Sequence, residues 1–528
     1  MNLINNNLSL NPFKPKFKTK ANSSETELGL FYTNDMHGDV NRLSKFKTAH
    51  DKFLKANKDI NHMTLAAGDC LFGSDKQRNS LMVKLFNLMG LDALALGNHE
   101  FAGGSKSLSE SLDNSKFETV SANIDVENDS PLKRSIKNKK LVKSAVFMKG
   151  GHKFAVIGAS PFNSYISTKD EAVKVKNLDE TVNAINEETK KLESEGVDII
   201  VGGHSHTEID GVNTEKPKDK NSPYKLNLLM SKRNEPVLIT QAGGMNKYAG
   251  YLNAVFDKKG VLKTDKIENK LIDLGQFNDS KVANNLMNEE LGKKVSIATV
   301  KGTYAPKNAC IERTEENPLA NAFADAILAR GKKYGAELSL YHAAAIRGGA
   351  DGKITNYDVK YSMIPFNNDI QVVDMTEKDL VQVLKNTAGS LLTSNQDPQI
   401  LRTSGMTYSI KNDKEYFLNG GKEPIQDVTI GDRKIDSKNP DENKKVRVIL
   451  NSYLFDMPRT KDIMAKYKDS ATHAGFEQEI FMDYLKDHNV IDCTNKEKRI
   501  KTSAHYSSWG ELASARQEVM NALNENLS

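Results

Sequence analysis

The segment LGLFYTN at 28–34 runs without a break into DMHG at 35–38. A short apolar run of this kind reads as a buried strand. It stops on a carboxylate, Asp35, and an imidazole, His37, two residues apart. The same punctuation recurs. MTLAA (63–67) ends in Gly68-Asp69, and DALALGN (92–98) ends in Asn98-His99-Glu100. VDIIV (197–201) ends in Gly202-Gly203-His204-Ser205-His206. Helix-like stretches at 41–56, 77–89 and 179–195 lie between such runs, and FAVIG (154–158), PVLIT (236–240) and YLNAVFD (251–257) are further strands. Strands alternating with helices predict βαβ units and an α/β fold with a largely buried sheet.

In such sheets ligands bind beyond the carboxyl ends of the strands. Asp35, His37, Asp69, Asn98, His99, His204 and His206 are therefore expected to converge on one cavity. Carboxylate, imidazole and amide donors without a thiolate suit Mn, Fe, Co or Zn. In an extended Asp-x-His both side chains leave one face, so Asp35 with His37, and His204 with His206, are expected to grip one ion or straddle two. Asp69 is the natural bridge between two ions.

The 528 residues carry 38% hydrophobic and 27% charged side chains and a formal charge of +5. That is an ordinary globular composition. No apolar run approaches the ~20 residues of a membrane span, and a globally basic nucleic-acid binder is not indicated. Three widely spaced cysteines, Cys70, Cys310 and Cys493, exclude a disulfide scaffold. The N-terminus lacks a secretory pattern, so the default expectation is cytoplasmic.

Residues 1–26 read as a disordered tail, 27–272 as the first domain and 273–296 as a helical linker. A smaller α/β domain is expected over 297–490, followed by a polar, partly helical tail over 491–528. Asn317-Pro318 is a helix start. Leu319, Ala322, Phe323, Ala326 and Ile327 form its apolar face. ELSLY (337–341), IQVVDM (370–375) and VRVIL (446–450) are strands of this second domain.

NDMHG, AGD, GNHEF and GGHSHT together resemble the signature of calcineurin-like metallophosphoesterases, in the branch of bacterial 5′-nucleotidases and cyclic-nucleotide phosphodiesterases. The second domain resembles that family's divergent C-terminal substrate domain, through NPLANAFADAI (317–327), HAAAIRGGADGKITNYDV (342–359), IPFNND (364–369) and LRTSGMTY (401–408). The resemblance implies a β-sandwich flanked by helices and a two-ion site. Asp35, His37, Asp69 and His206 hold one ion; Asp69, Asn98 and His204 hold the other. It makes His99 the catalytic group, stabilising the transferring phosphoryl group or protonating the leaving oxygen. It places Arg347 on substrate phosphate or carboxylate, with Phe366, Asn368 and Tyr453 as further contacts. The implied substrate is a small phosphorylated molecule, nucleotide-like, handled in nucleotide catabolism; the family is often periplasmic or on the cell surface. Oligomeric state is left open.

Three departures from the family pattern stand out. No histidine lies between His152 and His204, so the second ion has three protein ligands. Ala102 replaces an acidic residue that orients the catalytic histidine, which leaves Glu100 or Asp39 for that part. Ile400 stands where a base-stacking ring is expected, and 451–462 lacks the glycine-rich aromatic loop, leaving Tyr453 and Phe455 as stand-ins. These departures motivate a second reading, a degenerate relative that binds ligand or partner without turnover.

Overall fold

A computed structural model describes residues 12–13, 25–73, 75–161, 172–194, 209–213, 224–230, 236–238, 242, 247–305, 309–394, 399–494 and 497–525. The chain divides into two compact units, Met1–Lys293 and Lys294–Ser528.

The first unit is organised by β1 (Thr26–Thr33), every residue of which is buried. Its alternate side chains serve two layers. Leu28, Leu30 and Tyr32 join Ala145, Phe154 and Val156 of the hairpin Ser144–Lys149/His152–Ile157 in one apolar cluster. Phe31, on the opposite face, meets Phe46, His50 and Phe53 of α1 (Leu43–Ala56). Period-two geometry forces this division, and the result is a sheet covered by helices on one face and by a second β layer on the other. Among the described residues the sheet has seven strands. Its order is Leu262–Asp273, Tyr248–Phe256, β1, β2 (Asn61–Ala67), β3 (Ala93–Ala95), β4 (Glu118–Val120) and Leu141–Val142. β1 through Leu141–Val142 run parallel, Tyr248–Phe256 runs antiparallel to β1, and Leu262–Asp273 runs antiparallel to Tyr248–Phe256. The parallel run brings the ends of β1, β2 and β3 to one edge. α2 (Lys76–Met89) and α3 (Gly104–Leu112) follow β2 and β3.

Two stretches read from the sequence as a tail and a helical linker contribute side chains to the packing of this unit. Within the segment read as a disordered tail, Phe13 is fully buried among the rings of Phe31, Phe53, Tyr251 and Phe277, at centroid distances of 5.7–6.1 Å. A single buried aromatic ring contributes a large apolar area. The stretch 273–296, expected as a helical linker, is helical in part. Its helix Lys281–Leu291 buries Ala283 and Met287, and Glu290 pairs with Ser80 and Lys84 of α2.

The second unit is built on a five-stranded sheet, in the order Leu401–Ser404, Leu338–His342, Lys445–Asn451, Asp369–Thr376 and Thr472–Phe476. The helix Pro318–Gly331 starts under an Asn317 cap, whose Oδ1 accepts from the Ala320 N–H at 2.7 Å. It buries Leu319, Phe323, Ala326 and Ile327 against Tyr341 and Ile449. The described residues of the last stretch, read as a polar, partly helical tail, pair with earlier segments. Val490–Asp492 pairs with Ser296–Lys301 and Ile500–Thr502 with Met406–Ile410, and the helix Trp509–Glu525 buries Leu512 and Val519. Three-residue strands are too short to show a period, so only their distant partners define them.

Candidate functional site

The ends of β1, β2 and β3 are bound to one another through their main chains. The Asp35 N–H donates to the Gly68 carbonyl at 2.9 Å, and the His37 N–H to the Asp69 carbonyl at 2.7 Å. The His99 N–H donates to Asp69 Oδ1 at 2.8 Å. Asp35, His37 and Asp69 all take left-handed backbone, with φ of 52°, 47° and 50°. Such conformations cost on the order of 1 kcal/mol or more each and persist where surrounding structure over-determines them. They also correct the alternation argument. Asp35 and His37 are not in extended chain, so a shared face does not follow from period two; the turn itself sets their directions. A Cβ at Gly97 would sit 2.1 Å from Asp69 Oδ1, so only glycine lets the loop after β3 approach Asp69.

Donor atoms of His37, Asp69 and His99 lie within 4.8 Å of one another. The His37 and His99 rings stand 4.5 Å apart at 85°. Two imidazoles and a carboxylate fit a divalent ion of borderline softness. Asp35 and Asp69 are buried, while His37, Asn98 and His99 are half-buried. Asn98 precedes the short 3-10 turn His99–Phe101. Phe72 stacks against His99 at 6.4 Å, and the buried Arg78 guanidinium lies 4.2 Å from the Phe72 ring. His204 and His206 fall outside the described residues, as does the strand expected at 197–201.

Two residues hold this arrangement, Asn34, to which the sequence reading gave no role, and Glu100, which it offered as a partner for His99. Asn34 donates to Asp35 Oδ2 and accepts from the Ala242 N–H at 2.8 Å. Glu100, only 1% exposed, accepts four main-chain N–H groups. Its Oε2 takes Asp69 at 3.0 Å and Gly97 at 2.8 Å; its Oε1 takes Cys70 at 2.7 Å and Leu71 at 3.0 Å. Burial, and then the Asp69 charge, push this carboxyl up to about 7. Glu100 is thereby committed to the backbone and does not orient the His99 ring. The sequence signal was its position beside His99, but its four partners come from two loops.

In the second unit Arg347 lies 5.0 Å from the Phe366 ring, and its Nε donates to the Ala344 carbonyl at 2.9 Å. Burial, followed by the neighbouring charge of Arg313, lowers its pKa to about 10. Arg313 is the residue missed here. The His342 ring sits 4.5 Å from that of Tyr453, and its Nδ1 meets Asn451 Nδ2 at 2.7 Å. Burial holds His342 neutral, at about 3, and the Arg347 and Arg313 charges reinforce this. Tyr453 is 39% exposed, whereas Phe455 and Ile400 are core residues. Asn368 Nδ2 donates to both oxygens of the buried Glu477 at 3.0 and 3.2 Å. Glu477 also accepts from the Tyr341 hydroxyl at 2.6 Å.

Burial raises Glu477 from 4.5 to about 7. A carboxyl raised by folding holds its proton more tightly folded than unfolded. Its contribution is therefore most favourable below pH 4.5 and declines as pH climbs to about 7, by at most about 3 kcal/mol. Urea denaturation of the wild type and Glu477→Gln between pH 4.5 and 8 should show their stability difference moving toward the variant as pH rises. A constant difference would contradict the raised value.

Residues 30–208 match the calcineurin-like phosphoesterase family, and residues 296–458 the 5′-nucleotidase C-terminal domain. The chain is 27% identical over 448 residues to a trifunctional nucleotide phosphoesterase, YfkN of Bacillus subtilis, across 71% of this chain and 29% of that protein. It thus spans less than a third of that relative. It is 25% identical to an apyrase of Aedes albopictus, across 88% of this chain and 90% of that one. A 5′-nucleotidase precursor from Thermus thermophilus shares the fold, with a TM-score of 0.66 and 23% identity over 91% of this chain and 100% of the other. No helix among the described residues is long and apolar enough to cross a membrane. With the βαβ strand ends, their clustered donors and both matches in place, the chain carries a calcineurin-like phosphoesterase domain at 30–208 and a 5′-nucleotidase C-terminal domain at 296–458, the make-up of a metal-dependent phosphoric-ester hydrolase.

Proposed function

We propose that this chain hydrolyses small phosphomonoesters of nucleotide-like type with two divalent ions. The cluster of His37, Asp69 and His99 donors at the ends of parallel strands carries this reading. Asp35, His37, Asp69 and His206 would hold one ion, and Asp69, Asn98 and His204 the other. Such ions, when bound, neutralise phosphoryl charge and activate water at neutral pH. The chain's own residues do the rest. Asp69 supplies the charge shared by the two sites. Asn34 and Glu100 fix the loops that carry Asp35 and Asp69. His99, half-buried and flanked by Phe72, is the side chain that passes a proton to the leaving oxygen. Arg347 and Arg313 in the second unit receive an anionic group of the substrate as planar donors. Asn368 is held through its amide nitrogen, so its Oδ1 is the atom it presents. The degenerate reading is not favoured: the described ligand candidates are present and held in a buried, hydrogen-bonded scaffold.

With Ile400 in the core and no glycine-rich aromatic loop, a full base clamp, worth about 1–3 kcal/mol per stacked base, is not expected. Purified chain should hydrolyse AMP and ribose 5-phosphate after chelation only when Mn²⁺ is restored, with KM values within about tenfold of each other. Metal-independent turnover would refute the reading. A hundredfold preference for AMP would instead assign a complete clamp, with Tyr453 as one wall.

A further inference from the structure

The helix Trp509–Glu525 lies beyond residue 458, where the C-terminal domain match ends. It nevertheless reaches Arg313, whose short helix Ala309–Thr314 packs against the turn Ala343–Ala345, where the Ala344 carbonyl accepts from Arg347 Nε. Trp509, the only tryptophan of the chain, has its ring 5.8 Å from the Arg313 guanidinium, within cation–π range. It is 40% exposed.

The main chain at Arg313 is held from the sheet side. Arg402, fully buried on Leu401–Ser404, donates through Nη2 to the Glu312 carbonyl at 2.6 Å. The Ile400 N–H donates to the Arg313 carbonyl at 3.0 Å. The Glu312 carboxylate accepts from the Tyr304 hydroxyl and, at 3.3 Å, from Asn317 Nδ2. With the backbone fixed, whatever flanks the Arg313 side chain sets the direction of its guanidinium.

Trp509 is itself well placed to be that flank. Cys310, on the same short helix as Arg313, donates through Sγ to the Tyr506 carbonyl at 3.6 Å, and the Tyr506 hydroxyl donates to the Asn412 carbonyl at 2.7 Å. Glu511 accepts from both the N–H and the hydroxyl of Ser507 at 2.8 Å, closing the turn before the helix. Leu512 is fully buried, and Arg516 donates to the Leu391 carbonyl at 3.1–3.2 Å. The indole is thus anchored on both sides in sequence, and it is part-exposed beside a cation.

We propose that Trp509 is a positioning residue of the substrate site, its indole holding the Arg313 guanidinium beside Arg347 so that the two cations take one phosphate or carboxylate group together. This rests on the reading that Arg313 and Arg347 receive the substrate anion. Two cations set near each other repel, and an aromatic face at one of them offsets part of that cost without neutralising the charge the anion needs.

The test uses the full chain with Mn²⁺ and AMP. An exposed cation–π contact is worth about 0.5–1 kcal/mol, so Trp509→Leu should raise KM about two- to fivefold and leave kcat within about twofold. Trp509→Phe, which keeps a ring, should stay near the wild type. Because Trp509 is the sole tryptophan, its emission should shift on titration with inorganic phosphate, and Arg313→Gln should remove the shift. An unchanged KM in Trp509→Leu, or a Trp509→Phe variant as impaired as Trp509→Leu, would overturn the proposal. Arg313→Gln and Arg347→Gln separate the two levels. If they raise KM while Trp509→Leu does not, the positioning role fails alone; if neither raises KM, the anion-site reading fails beneath it.

Discussion

Asp69→Asn should lower kcat/KM by on the order of a thousandfold and leave the fold intact. Asparagine tolerates left-handed backbone as well as aspartate does, so the φ of 50° is preserved. Its amide oxygen can still accept from the His99 N–H, as Asp69 Oδ1 does at 2.8 Å. What is lost is the negative charge facing the His37 and His99 donors within 4.8 Å. In the proposed two-ion site a neutral residue at this position would not offset the charge of the ions, and the several kcal/mol such ions would supply to phosphoryl transfer correspond to three or more powers of ten in rate. Elemental analysis after dialysis, read beside AMP turnover, tests this directly. Two tightly retained ions in the variant would remove the bridging role from Asp69.

Glu100→Gln is the second large effect, and it falls on stability before chemistry. Each carboxylate oxygen accepts two main-chain N–H groups, Asp69 and Gly97 on one, Cys70 and Leu71 on the other. A glutamine has one oxygen. Whichever way its amide turns, two N–H donors face an NH₂ group in a site that is 1% exposed. At about 1–3 kcal/mol for each buried group left unsatisfied, the first unit should lose about 4 kcal/mol. Asp69 sits at the centre of the disturbed loop, so metal retention should fall with it. Glu100→Asp, shorter by one methylene, cannot reach both loops and should be nearly as damaging. Thermal unfolding in the absence of metal isolates the stability effect; an unchanged midpoint for Glu100→Gln would mean the four hydrogen bonds are dispensable.

The alternation of LGLFYTN, MTLAA and DALALGN with helical stretches was enough to read an α/β unit, because strand burial and side-chain period are local. The same runs located the candidate donors, since a parallel strand must end where its carboxyl terminus meets the ligand edge. Phe13 shows where local reading stops. A single ring in a stretch rich in Lys and Pro does not announce its partners, and the four ring partners of Phe13 lie at 31, 53, 251 and 277. Residues 491–525 fail for the same reason, since their short strands pair with segments near 300 and 408.

Contiguous residues were enough to define the two-domain α/β class and the strand-end positions Asp35, His37, Asp69, Asn98 and His99, because each motif adjoins its strand. How those side chains are aimed was legible only in three dimensions. The left-handed turns at 35, 37 and 69, the four N–H groups on Glu100, and the approach of Arg313 to Arg347 and Trp509 are relations between distant parts of the chain. Backbone propensity is set by neighbours, but a buried carboxylate or a paired guanidinium is set by whatever the fold brings beside it.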